Sequence, residues 1–167
     1  KEVYSHVDRI HLMAYDMIES NGVHHASFNN AVKAVEILIQ SGCESSKIIL
    51  GLPAYARHKT TPSQIKTYSE LVDEWSKENS DSYGNEARFL AMKEYRGYLL
   101  ESRELIQSKI SMAMEKGLGG VFLWELGQDY RNDSAFQEGM VMRLIQDAVD
   151  ITSSEMVDHD VKIQDEL

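Results

Sequence analysis

The sequence is short of every residue type that would mark it as something other than an ordinary folded domain. It has one cysteine, Cys43, so it can form no intrachain disulfide and supply no thiolate metal cluster. Two prolines and ten glycines in 167 residues exclude a low-complexity linker. Basic residues are few: 17 Lys and Arg stand against 27 Asp and Glu. The resulting net charge of −10 argues against a protein that neutralises nucleic-acid phosphates. No apolar run approaches the ~20 residues of a membrane span; Ile48-Ile49-Leu50 and Val121-Phe122-Leu123-Trp124 are typical of the longest. What is present, 43% hydrophobic and 26% charged residues, is globular composition in a length suited to one domain. The chain opens on Lys1 with no signal peptide in view, so the expectation is a processed start or a piece of a longer protein.

Charge is unevenly placed. Residues 150–167 hold six acids (Asp150, Glu155, Asp158, Asp160, Asp165 and Glu166) and one base, Lys162. Half of the net negative charge therefore lies in a segment without apolar periodicity, which reads as a solvated, disordered tail. The folded body is expected over residues 1–149.

Within that body the pattern alternates. Arg9–Asp16 crowds its apolar residues as a strand buried on both faces does. Phe28–Ser41 reads as a helix with Ala31, Val35, Leu38 and Ile39 on its stripe and Gly42 as its C-terminal cap. A second buried strand, Lys47–Tyr55, begins 38 residues after the first, a spacing suited to a strand–helix–strand crossover. A polar stretch, Arg57–Tyr68, leads to a short helix over Ser69–Lys77 and a turn near Glu78–Asn85; residues 86–100 receive no assignment. Ser102–Lys116 reads as a helix with Ile106, Ile110, Ala113 and Met114 on one stripe. Gly119–Trp124 reads as a third buried strand. The capping box Ser134–Gln137 opens a last helix to about Val149, with Phe136, Met140, Leu144 and Ala148 in register. The class is α/β, a parallel sheet with helices packed outside it. Three strands cannot close a barrel, and eight need ~250 residues, so the chain by itself has two bare sheet edges.

The three strand ends carry polar and aromatic residues of an unusual kind. Met13-Ala-Tyr-Asp16, Gly51-Leu-Pro-Ala-Tyr-Ala-Arg57 and Gly117-Leu-Gly-Gly-Val-Phe-Leu-Trp-Glu125, with Asp129 behind it, resemble in order the M-x-Y-D, G-x-P-x-Y-G-R and G-x-G-G-x-x-x-W-E…D motifs of glycoside hydrolase family 18, the chitinase-like family. Gly22-Val-His-His25 and Lys66-Thr-Tyr-Ser69 are similar to family loops. The resemblance spans residues 8 to about 130 and implies the C-terminal portion of a (β/α)8 TIM barrel, strands six to eight with their helices. Strand periodicity agrees with it. Met13 and Tyr15, then Gly51, Pro53 and Tyr55, then Gly120, Phe122 and Trp124 each share a face, which in a barrel is the interior. Leu12, Ala14, Leu50, Leu52, Val121 and Leu123 point the other way, toward helices.

The resemblance further implies hydrolysis of β-1,4-linked N-acetylglucosamine polymers, chitin or related glycans, in which the substrate's own N-acetyl oxygen attacks the anomeric carbon. Tyr15 and Asp16 would be catalytic, Tyr15 holding the N-acetyl group and Asp16 accepting a hydrogen bond from the distorted sugar. Trp124 would be the platform beneath the sugar, Tyr55 and Arg57 would line the groove, and Met13 would fill the pocket's base. The family's proton donor ends a D-x-x-D-x-D-x-E motif that these 167 residues do not contain. Ala56 stands where the family has glycine, Tyr98–Glu101 lacks an acidic pair often found there, and the insertion after the second strand is short. These departures weaken the case for a deep, processive cleft. A chitinase-like lectin that binds without cutting, and a truncated product with no stable fold, are the rival readings.

Plainer readings stand beside these. Tyr15-Asp16 could be a strand end beginning a turn, Trp124 could be core, and Arg57 could simply pair with a loop acid. Glu125 and Asp129 could serve an active site or lie in a solvated loop. His24-His25 lacks the further ligands a metal needs and reads as a loop pair; no metal and no cofactor is expected. Met112, Met114, Met140 and Met142 read as core or helix surface, and Cys43 as a bystander. Gln164-Asp-Glu-Leu167 resembles the C-terminal tetrapeptide read by the endoplasmic reticulum retention receptor, which implies the endoplasmic reticulum lumen or the secretory pathway, with secretion as the alternative.

Overall fold

The structure, a computed structural model, describes residues 2–17, 24–79, 85–131 and 139–150. The capping box at Ser134–Gln137, Phe136, the Gly22-Val23 part of one loop motif, most of the expected turn near residue 80 and all of the tail beyond Asp150 lie outside the described residues.

Three parallel strands form the first sheet. β1 (Ile10–Leu12) and β7 (Gly120–Trp124) flank the central β2 (Ile48–Pro53). The register pairs Leu12 with Leu50 and Leu50 with Val121, then Gly51 with Phe122 and Pro53 with Trp124. Two helices follow their strands as crossover units. α1 (Phe28–Gln40) is capped by the Ser27 side chain, which accepts from the Asn30 N–H. α4 (Arg103–Glu115) is capped in the same way by Ser102, which accepts from Leu105. A last helix, α5, covers residues 140–150.

The strand faces sort as their period of two demands. Ala14 and Leu50, with Leu12 and Val121 beside them, pack on Ala31 and Val35 of α1 and on Met112 and Ala113 of α4. Leu52 and Leu123 enter a second, larger cluster with Ile106 and Ile110 of α4 and Met140, Val141, Leu144, Ile145 and Ala148 of α5. Each fully buried Val, Leu, Ile or Met among them contributes about 1.5–3 kcal/mol by leaving water. α4 thus serves both clusters. On the other face Gly51 makes room: a Cβ there would lie 2.7 Å from both the Phe122 and the Tyr15 rings. Those two aromatic side chains close over the central strand because it has no side chain at that point.

The structure departs from the sequence reading in three places. β2 stops at Pro53, and Tyr55 begins a separate strand, β3 (Tyr55–His58). β3 joins β4 (Ile65–Thr67), β6 (Tyr98–Leu99) and β5 (Glu94–Tyr95) in a four-stranded antiparallel sheet of order β4-β3-β6-β5. The polar stretch and the unassigned residues 86–100 therefore form the second sheet and a helix. α2 (Tyr68–Glu78), with a Thr67/Glu70 capping box, and α3 (Asn85–Ala91) pack beside that sheet through Tyr68, Trp75 and Phe89. Ile39 is not in the α1 stripe but partly exposed, because at about 100° per residue it is turned about 80° from Ala31. Asp129 is not in a solvated loop. It is buried and accepts hydrogen bonds at 3.0–3.1 Å from the backbone N–H groups of Val141 and Met142, the free donors of the first turn of α5. Gly139 allows this approach, since a Cβ there would meet the Asp129 carboxylate at 2.1 Å.

One core position is charged. Lys109 of α4 is fully buried, paired with the equally buried Glu101, and its Nζ donates to the Ala26 carbonyl in the loop before α1. Removing one partner of such a pair strands the other charge at a cost of about 3–5 kcal/mol, whereas replacing both with apolar groups is often neutral. Lys109→Met should therefore lower the unfolding free energy in urea by about 3–5 kcal/mol, and adding Glu101→Leu should restore much of it. Additive losses in the double variant would count against a coupled pair.

Candidate active site

The chemistry-bearing side chains gather at the carboxyl ends of the parallel strands, where the second sheet begins. Asp16 lies four residues past the end of β1 and has φ 60°, a left-handed conformation that Asp tolerates better than most residues. Its Oδ1 accepts from the Tyr55 hydroxyl at 2.7 Å and from Arg57 Nε at 2.6 Å. Tyr55 and Arg57 alternate on β3 with Ala56 between them, so one face of the short strand presents both donors. A second Arg57 nitrogen donates to the Pro62 carbonyl at 2.8 Å, which fixes the guanidinium from the loop side.

Tyr15 is buried against Ala26, Tyr55 and Phe122, edge-on to the Tyr55 ring with centroids 6.2 Å apart. Its hydroxyl has no hydrogen-bond partner among the described residues. The Tyr15 hydroxyl is thus a buried donor without an acceptor among those residues, on the residue next to the Asp16 carboxylate. Burial and the neighbouring Asp16 charge raise the Tyr15 hydroxyl above its ordinary range, so it stays a donor at neutral pH. Burial tends to raise the Asp16 carboxyl too, but the hydrogen bonds from Arg57 and Tyr55 outweigh it and hold the group below its usual value. Asp16 is therefore an ionised acceptor, exposed to solvent, at any pH near neutrality.

Trp124 ends β7 with 47% of its surface exposed. Met13 is also exposed, at 64%. The structure thus brings Tyr15, Asp16, Tyr55 and Arg57 into one contact network and leaves Met13 and Trp124 on the open surface at the same strand ends. Arg57 does pair with an acid, as its plainer reading has it, and that acid is Asp16 itself. Glu125 is exposed.

Sequence reasoning missed the pieces behind this network. His25 is buried, stacked on the His24 ring and tilted against the Tyr55 ring, both centroids 5.1 Å away, with Nδ1 3.4 Å from Asp16 Oδ1. His24 Nδ1 accepts from the Ala26 N–H at 3.0 Å, and its Nε2 lies 4.0 Å from Glu101. The signals available were the adjacent histidines after a strand end and the likeness of Gly22-Val-His-His25 to a family loop. Among the described residues no group of three or more His, Cys, Asp or Glu is arranged to hold a metal, and no helix is long and apolar enough to cross a membrane.

With this geometry in hand, comparison with known proteins is informative. The family described as Glycosyl hydrolases family 18 matches residues 1–129. A chitinase of Flavobacterium johnsoniae superposes with a TM-score of 0.68 at 24% identity, over 90% of this chain and 45% of that one. A family 18 chitinase of Cycas revoluta in complex with (GlcNAc)3 superposes with a TM-score of 0.63 at 20% identity, over 89% of this chain and 48% of that one. A chitinase-like agglutinin of Robinia pseudoacacia gives 0.58 at 21% identity, over 86% and 48%. The chain spans about half the length of these structures, and its parallel strands with their helices are part of a (β/α)8 barrel.

The two histidines set an acid limit on stability. Burial, with the nearby Lys109 charge, pushes His24 down to about 4, and burial with its charged neighbours pushes His25 down to about 3. Unfolded histidines take up protons near 6.5, so as pH falls below that value the unfolded state binds protons that the folded state refuses. Stability should fall with decreasing pH from about 6.5 toward 4. Burial raises the Glu101 and Asp129 carboxyls, which act in the opposite sense. The histidine share is isolated by His24→Asn, which keeps an acceptor for Ala26. Urea melts at pH 7 and 5 should show a smaller acid loss in that variant. An equal loss would mean His24 is charged in the fold.

Proposed function

The chain belongs to glycosyl hydrolases family 18, and from that premise we propose that it supplies the sugar-binding end of a glycosidase acting on chitin or a related N-acetylglucosamine glycan. The observation that carries the reading is the unpartnered, buried Tyr15 hydroxyl beside the ionised Asp16, itself fixed by Tyr55 and Arg57. In the proposed mechanism Tyr15 donates to the N-acetyl oxygen and turns it toward the anomeric carbon. Asp16 accepts a hydrogen bond from the distorted sugar and stabilises the positive charge that develops as the oxygen attacks. Arg57 keeps Asp16 ionised and aimed. Trp124 offers its exposed indole as a flat apolar floor for a pyranose ring. The proton for the leaving oxygen comes, on this reading, from the glutamic acid of a D-x-x-D-x-D-x-E segment, so cleavage belongs to a protein that carries that segment together with this one.

A lectin that binds the same glycan without cutting it is the second reading, favoured by the likeness to a chitinase-like agglutinin. Both readings need the same platform. In the protein that contains this chain, Trp124→Ala should abolish measurable chito-oligosaccharide binding by calorimetry, and unchanged affinity would sink the assignment of the groove. Release of shorter oligosaccharides by the unaltered protein separates the hydrolase from the lectin.

The proposed location is the endoplasmic reticulum lumen or the secretory pathway, on the strength of Gln164-Asp-Glu-Leu167. Deleting those four residues should move a tagged secretory version of the protein from the cell lysate to the medium; an unchanged distribution would remove the retention reading.

A further inference from the structure

Asp16 is held in a left-handed backbone conformation, and the residue that holds it is His25. The His25 ring and main chain grip two consecutive amides. Nδ1 accepts from the Asp16 N–H at 3.4 Å, and the His25 carbonyl accepts from the Met17 N–H at 2.9 Å. Bonding one residue to both N–H groups of a corner leaves the chain little freedom to relax toward φ < 0. The ring is buried and packs at a tilt of 34° against Tyr55, one of the two donors to Asp16 Oδ1. His25 therefore touches both the backbone that aims the carboxylate and the phenol that donates to it.

The histidine is itself fixed from behind. The next residue, Ala26, gives its carbonyl to Lys109 Nζ and its N–H to His24 Nδ1. Lys109 stands on α4 in a buried pair with Glu101. A chain of contacts thus runs from the helix before β7, through Lys109 and Ala26, to His25 and then Asp16. The buried ammonium is compensated on two sides, by the Glu101 carboxylate and by the Ala26 carbonyl of the loop.

We propose that His25 is a positioning residue, with the Lys109–Glu101 pair as its anchor, that sets the direction of the Asp16 carboxylate without touching substrate. Its place in a reaction rests on the glycosidase reading above, while its hold on Asp16 does not.

The tautomer provides the first test, on the unaltered 15N-labelled chain. A ring that accepts from the Asp16 amide must carry its proton on Nε2, so long-range proton–nitrogen correlation should show an unprotonated Nδ1. A protonated Nδ1 at neutral pH overturns the proposal. The second test compares His25→Asn, whose side-chain oxygen can replace Nδ1 as acceptor, with His25→Leu, which fills space and accepts nothing. Carboxyl 13C titration should leave Asp16 below its ordinary midpoint in the unaltered chain and in His25→Asn. In His25→Leu it should rise toward about 3.9, the value of a free aspartate. A role in stability alone would lower Tm in both variants and leave the Asp16 midpoint where it was, which overturns the proposal, as does a free-aspartate midpoint in His25→Asn. Failure of the parent protein to bind chito-oligosaccharide, with the tautomer and midpoints as expected, would sink the glycosidase reading and leave the positioning of Asp16 standing.

Discussion

Oδ1 of Asp16 receives the Tyr55 hydroxyl and Arg57 Nε. Asp16 follows the first strand of the parallel sheet, whereas Tyr55 and Arg57 stand on the antiparallel sheet that opens after its central strand. A single carboxylate oxygen therefore joins the two sheets of the chain at one point. Two charge-assisted donors on one acceptor define a direction as well as a distance. The rest of the candidate site takes its position from that direction: Tyr15 precedes Asp16, the Tyr55 ring packs on Tyr15 and His25, and Arg57 is held from behind by Pro62. An exposed ion pair alone would contribute little to stability. Its value here is geometric.

Much of this was legible in the sequence, for a specific reason. Period two along each strand sorted Leu50, Leu52, Val121 and Leu123 toward the helices and Tyr15 and Phe122 away from them, and the clusters follow that sorting. A strand buried on one side by helices leaves its other side free for aromatic and polar residues, so the parity of Tyr15, Phe122 and Trp124 was readable before any contact was known. The second sheet was not readable. Its strands run two to four residues, too short to express a period, and β5 and β6 meet across a tight Arg96-Gly97 turn within the unassigned residues 86–100. Lys109 was hidden for the opposite reason. It sits on a convincing helical stripe beside Ile106 and Ile110, where a charged residue would ordinarily be assigned to the solvent face. Asp129 was hidden because its partners are backbone amides 12 and 13 residues onward, which no side-chain pattern announces.

These omissions share a physical cause. Lys109, Asp129 and His25 each satisfy backbone groups that the local fold leaves unpaired: a loop carbonyl, the first amides of a helix, the amides of a left-handed corner. Apolar burial is written in periodic patterns because it is non-directional and needs only the right face. Satisfaction of a particular backbone group needs one side chain at one place, and nothing periodic records it. The core of this chain is accordingly the part a sequence reading recovers, and the buried polar contacts that aim the site are the part it loses.

The placement of large side chains at the strand ends carries the last step. Trp124 and Met13 stay exposed while Leu123, Leu50 and Ala14, one residue or one strand away, are half-buried or buried. Hydrophobic burial would favour the indole inside, and α4 and α5 supply an apolar cluster next to β7 that accepts Leu123. The parity of the strand denies Trp124 that cluster: turning it inward would turn Leu123 out and break the register with Pro53 and Leu52. An exposed indole fixed by register at the end where Asp16 and Tyr15 gather is available for a flat ligand face in a way that a mobile surface side chain is not. On the glycan-binding reading, the constraint that keeps the leucines in the core also keeps the tryptophan out for the sugar, so fold and recognition are set by the same alternation.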